Sequence, residues 1–187
     1  MALELFMKEK LLSLHGVQRI NDMEGNEVFE VRGKFFSIHD YMSLYDMEGK
    51  ELAKIHKKVF SLHETHFIEM DGKEVTELRT KLFHPFNQEI DMPEIGWQIR
   101  GNFLEHDFSI YDKEDQLRAV VHRKYISLGE GYQITITSDE DVVLVLAIIV
   151  ALERIMADRR NVRESGAIAA GTTAAAHANQ QSENDQN

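Results

Sequence analysis

The chain has 187 residues, 43% of them apolar, with two prolines and no cysteine. That is enough for one self-supporting core, and it excludes disulfide frameworks, thiolate metal sites and cysteine nucleophiles. The formal net charge of −11 denies the chain the excess of Lys and Arg that sequence-independent nucleic-acid binding requires.

The opening residues, Met1-Ala-Leu-Glu-Leu-Phe-Met-Lys-Glu-Lys10, lack a basic start followed by an unbroken apolar stretch. No secretory signal is expected, and together with the missing cysteines this points to the cytoplasm. Further along, one framework recurs without a gap: Lys10, Leu12, Ser13, Leu14, Ile20; Lys58, Phe60, Ser61, Leu62, Ile68; Lys124, Ile126, Ser127, Leu128, Ile134. Residues 45–68 align with 111–134 at ten identities, among them Tyr45, Asp46, Ala53, His56, Lys58 and Ile68. Val31-Arg-Gly-Lys-Phe35 likewise matches Ile99-Arg-Gly-Asn-Phe103. A supersecondary unit that cannot bury its own apolar face must pack on its copies, so two related halves are expected.

Turn signals punctuate these copies: Asp22-Met-Glu-Gly25, Asp46-Met-Glu-Gly49, Asp71-Gly72 and Asp112-Lys-Glu-Asp115. Asp and Gly accept the backbone angles of tight hairpins, and the flanks are rich in Val, Ile, Phe and Tyr. The pattern predicts roughly a dozen short antiparallel strands. Pro85 and Pro93 predict a loop over 83–94 between the halves.

The period changes after Thr137. Ser138 is placed as a helix N-cap, with acids at 139–141 and cations at Arg154, Arg159 and Arg160, as the helix dipole favours. Residues 142–152 are eleven consecutive apolar residues, and a helix apolar all round must be enclosed on every side. It is short of the roughly twenty residues that cross a bilayer, and the rest of the chain supplies strands. The expected solution is a helix threaded through a β-barrel. The domain is placed at 1–161, and the Ala-, Asn-, Gln- and Ser-rich remainder, 162–187, is expected to be a disordered tail.

Phe29-Glu-Val-Arg-Gly-Lys-Phe-Phe-Ser37, then Asp46-x-x-Gly49 and Ile55-His-Lys-Lys58, is a pattern that resembles the LURP-one-related (YxjI-type) family of the tubby C-terminal-like superfamily, over about residues 5–160. The resemblance implies a roughly twelve-stranded antiparallel closed β-barrel around a central apolar C-terminal helix. Tubby relatives bind phosphoinositides, and phospholipid scramblases are more distant relatives. Fold membership alone does not carry those activities over.

The sharpest chemical candidate is basic: Lys54, Lys57 and Lys58 in one copy, with Arg118, Arg123 and Lys124 in the other. Converging cations recognise phosphate, so an anionic lipid headgroup at a membrane surface is one expected partner. The bland reading makes them solvated strand residues that keep the exterior soluble. Strand parity puts Lys57 and Arg123 on one face and Lys58 and Lys124 on the other, which calls for a bulge or a bend.

Arg32, Arg79 and Arg100 recur at one place in their copies, either as anion hooks or, more in keeping with a repeated unit, as partners of acids across the ladder. His63-Glu-Thr-His66 has the wrong spacing for a zincin helix and no third ligand, so neither metal nor cofactor is expected. His56 and His122 read as structural. No nucleophile elbow, phosphate-binding loop or dinucleotide fingerprint is present. The expectation is a non-enzymatic barrel. The alternatives are a scaffold for a protein or small ligand, or scramblase-like action with 142–152 in lipid.

Overall fold

The computed structural model describes residues 2–8, 16–34, 41–57, 65–80, 89–126 and 129–156. Twelve strands follow one another: β1 (Leu3–Lys8), β2 (Val17–Asp22), β3 (Glu27–Lys34), β4 (Tyr41–Asp46), β5 (Glu51–Lys57), β6 (Thr65–Met70), β7 (Lys73–Thr80), β8 (Glu89–Met92), β9 (Trp97–Asn102), β10 (Asp107–Tyr111), β11 (Leu117–Ile126) and β12 (Gly129–Ile136). A helix, α1, covers 142–156. The chain groups into two units, Met1–Glu153 and Arg154–Asn187, and the barrel belongs to the first.

Each strand pairs antiparallel with its neighbours in sequence, and β1 closes the ring against β12, from Leu3 opposite Ile136 to Lys8 opposite Gly131. Alternation of side chains turns one row of apolar residues inward. Leu5, Ile134, Val121 and Phe108 lie in successive register, as do Ile90 and Ile99, and all six are buried. Where Phe108 meets Gly101, the glycine has φ 135°, and a Cβ there would fall 2.7 Å from the Phe108 Cα. A side chain at that position would push the two strands apart.

An eight-stranded barrel is filled by its own side chains, and twelve strands leave more room inside. α1 occupies it. From Val145 to Glu153 no residue is more than 3% exposed, on every side of the helix. Residues 142–153 rise about 18 Å at 1.5 Å each, comparable to the height of a wall whose strands run mostly six to eight residues. The closed, mainly β, twelve-stranded architecture with its enclosed C-terminal helix is therefore as the sequence predicts.

Three expectations need correction. The predicted loop over 83–94 contains β8, because Ile90 and Met92 alternate inward between β7 and β9; Pro93 stands just past its end, where no ladder N–H is needed. Ser138 precedes a short 3-10 turn, Asp139–Asp141, and its side chain makes no cap hydrogen bond. Of the bulge or bend expected around 123–124, no bulge occurs: β11 pairs with β12 in unbroken register from Ala119 to Ile126. The whole of the proposed tail, 162–187, and the domain end at 161 lie outside the described residues.

Candidate functional site

The two ends of the barrel are built differently. One end, the turn end, holds the tight connections β2–β3, β4–β5, β6–β7, β8–β9 and β10–β11 and the entry of the chain into α1. Three of its turns share one geometry. The backbone N–H of Asp22, Asp46 and Asp112 donates to the carbonyl four residues on, at 2.9, 3.1 and 3.0 Å, while Gly25, Gly49 and Asp115 take positive φ. In each, Oδ1 of the leading Asp accepts the N–H of Asn26, Lys50 or Gln116. A bulge sits beside each turn, between Ile20 and Asn21, Leu44 and Tyr45, and Ile110 and Tyr111.

Arg118 departs from the pattern, because the equivalent bulged position in β5 is Leu52. Its guanidinium donates to Oδ2 of Asp112 at 2.5 and 2.8 Å and to Oδ2 of Asp141 at 3.0 Å, tying the entry of α1 to the β10–β11 turn. Burial alone pushes the Asp112 carboxyl up, but the N–H groups of Gln116 and Glu114 and the guanidinium outweigh it, so it is held below its ordinary value. Arg118 is raised by the same pairing. At the first turn, the Asn26 carboxamide holds the Asp22 carboxyl below its ordinary value.

Counted from the last residue of one element to the first of the next, the turn end carries fourteen carboxylates and three lysines. That net −11 equals the net charge of the whole chain. The rest of the molecule is balanced.

The other end, the loop end, joins β1–β2, β3–β4, β5–β6, β7–β8, β9–β10 and β11–β12. Most of these connections lie outside the described residues. At β9–β10, Asn102 Oδ1 accepts the Glu105 N–H of a 3-10 turn (Phe103–Glu105), and His106 follows in the left-handed region at φ 51°, ψ 44°. This places the His106 ring over Tyr132, 4.6 Å between centroids and nearly parallel. Nε2 of His106 lies 2.6 Å from Oε1 of Glu153 in α1, at an angle outside that of a hydrogen bond. Both side chains are buried, so an ionisable pair plugs this end where α1 reaches it.

The predicted basic residues do not form one cluster. β5 and β11 stand six strands apart in either direction round the ring, because the copies occupy opposite walls. Lys54 faces outward and lies 5.1 Å over the Tyr41 ring. Lys57 ends β5 at the loop end, on the face of Ile55. Arg123 pairs with Glu130 and Lys124 donates to Gln133, both towards the loop end. Arg118 lies at the turn end, and Lys58 lies outside the described residues.

Arg32 pairs with Glu30 and covers the Tyr45 ring at 4.4 Å. Arg100 pairs with Asp115 at 2.6 Å and covers Tyr111 at 4.7 Å. Each pairs with an acid, as the structural reading expects, but not across the ladder: Glu30 lies in β3 itself and Asp115 in the β10–β11 turn; the Arg79 side chain lies outside the described residues. His56 stacks on Phe67, and His122 Nδ1 lies 2.6 Å from Asp107 Oδ1. Among the described residues no group of three or more His, Asp or Glu could hold a metal. His63 and the three recurrent serines lie outside them. The His106–Glu153 pair gave no signal in the sequence, since only closure of the barrel brings the two together.

A model of LURP-one-related proteins matches residues 3–153. The chain belongs to the LURP-one-related family. Within it, the uncharacterised YxjI protein of Bacillus subtilis is 32% identical over 154 residues, covering 82% of this chain and 94% of its own. An X-ray structure of an Arabidopsis thaliana protein superposes with a TM-score of 0.60 at 21% identity, over 82% of this chain and 91% of that one, a likeness of fold. Among the described residues no helix is long and apolar enough to cross a membrane.

Proposed function

We propose that the protein is a non-catalytic, cytoplasmic barrel that binds an anionic lipid headgroup of the phosphoinositide class at a membrane surface, through its loop end. The observation that carries this reading is the charge polarity. The chain's net negative charge is gathered at the turn end, so an anionic surface repels that end and meets the other with less opposition. Lys57, Arg123 and Lys124 stand towards the loop end, and Lys58 follows Lys57 in sequence. Arg118 is set aside, because Asp112 and Asp141 occupy it. The same reading takes the two halves of the barrel as copies of one unit, with the shared turn geometry as support.

Flotation with phosphoinositide-containing vesicles tests it. Association should weaken with salt and fall on changing Lys57, Lys58, Arg123 and Lys124 to Ala. Absence of association, or association indifferent to both, removes the proposal. The rival reading, a scaffold for another protein, is favoured if affinity capture depends on residues 162–187 and vesicles bind nothing.

A further inference from the structure

β1, β12 and β11 run side by side where the ring closes, and one row of their outer face is unlike the rest. Lys8 stands opposite Gly131, and Gly131 opposite Lys124. By strand parity all three face away from the lining that Leu5, Ile134 and Val121 form, and the row lies at the loop end, where β1 finishes. Adjacent strands are about 4.8 Å apart, so the two lysine Cα atoms stand about 10 Å from each other with no side chain between them. Gly131 could not carry one: a Cβ there would fall 2.3 Å from the Met7 carbonyl oxygen and 2.7 Å from Cζ of Phe6. The fully buried Phe6 ring thus floors the space between the lysines.

The charges of this row are uncompensated. Arg19, Arg32, Arg100, Arg118 and Arg123 each hold an acid. Lys8 and Lys124 are exposed, and among the described residues no acid pairs with either; the Lys124 ammonium donates to the neutral Gln133 carboxamide. Two neighbouring carboxylates are engaged elsewhere, Glu130 by Arg123 and Asp107 by His122. Like charges held in one row repel, and an anion between them removes that cost. Ammonium groups on flexible four-carbon stems converge on such an anion without needing a fixed fork.

We propose that Lys8 and Lys124, on either side of Gly131, hold a phosphate monoester of the lipid headgroup. The proposal rests on the membrane reading above for the source of the phosphate and names the group recognised. A monoester, with its second pKa at about 6, carries close to two negative charges at neutral pH and matches the two cations, whereas the phosphodiester of phosphatidylserine carries one. Lys57, five strands from β12, adds to the attraction of the surface without touching this group.

Flotation on phosphatidylcholine vesicles that carry phosphatidylinositol 4-phosphate, or phosphatidylserine matched for total charge, tests the proposal. The monoester vesicles should bind the protein more tightly. Lys8→Ala and Lys124→Ala should each cut that preference ~5-fold, whereas Lys57→Ala should weaken binding to both kinds of vesicle alike. A second measurement needs no variant: with the monoester vesicles or soluble inositol 1,4-bisphosphate present, acetylation by an aqueous amine reagent, read by mass spectrometry, should spare Lys8 and Lys124 but not Lys50 and Lys73 at the turn end. Equal affinity for the two vesicles, a preference unchanged in both lysine variants, or no protection of Lys8 and Lys124 overturns the proposal; vesicle binding that still responds to salt and to Lys57→Ala then spares the membrane reading. Protection by the soluble bisphosphate with no binding to any vesicle upholds the phosphate site and overturns the membrane reading. Binding of neither probe overturns both.

Discussion

The turn end and the loop end are made by the same strands and differ in what joins them. At the turn end, short connections satisfy their own backbone with an Asp side chain, and Arg118 binds the helix entry to the wall. At the loop end, the plug is a buried His–Glu contact against an aromatic ring. The comparison teaches that the three Asp-led turns are specified locally, residue by residue, whereas the His106–Glu153 contact is made only by tertiary closure. Local specification tolerates change beside it, whereas a buried ionisable pair does not.

The helix between the ends gives the largest expected effect. Leu146→Asp or Ile149→Asp places an unpaired charge among fully buried neighbours, and a loss of about 4 kcal/mol or more should leave no cooperative unfolding transition in chemical denaturation. A soluble, cooperatively folding variant would contradict the enclosed helix.

Next comes the loop end. His106→Ala strands Glu153 in the interior, at a cost of about 3 kcal/mol. His106→Gly should be milder by about 1 kcal/mol, since the left-handed backbone at φ 51° favours glycine. Equal losses for the two would deny a role to that backbone angle.

At the turn end, Arg118→Leu installs the residue found at the equivalent bulge in β5. It removes the partner of two acids, and Tm should fall by a few °C. Leu52→Ala serves as the comparison that lacks an ion pair.

The Asp112 carboxyl is held below its ordinary value of 3.8, so it contributes stability fully present above that pH and lost as pH falls through its lower folded value. Asp112→Asn should therefore be less stable than the parent at neutral pH. The gap should close below pH 3.8, as followed by denaturant midpoints across an acid series. A constant gap would assign the effect to hydrogen bonding alone. Smallest of all, Glu24→Gln and Glu48→Gln, exposed in their turns, should change stability by less than about 0.5 kcal/mol.

What the sequence disclosed follows the same division. Asp46-x-x-Gly49 and its counterparts were legible because a turn is a matter of neighbouring residues, and α1 because eleven apolar residues in a row allow few environments. β8 was hidden by the prolines around it: four residues are too few for alternation to outweigh a breaker. Arg118 looked like a surface cation because Asp141 lies twenty-three positions away. The phosphate-binding cluster failed to assemble since similar segments in a closed ring stand on opposite walls, which similarity alone does not reveal.

The pairing of β1 with β12 bears on how the chain is made. The ring cannot seal until residue 136 has left the ribosome, and the helix that fills it emerges later still. Every nascent intermediate thus holds an unsealed seam and an unfilled apolar lining, which exposes it to self-association. A truncation ending at residue 137 would fix that stage permanently and should accumulate bound to chaperones.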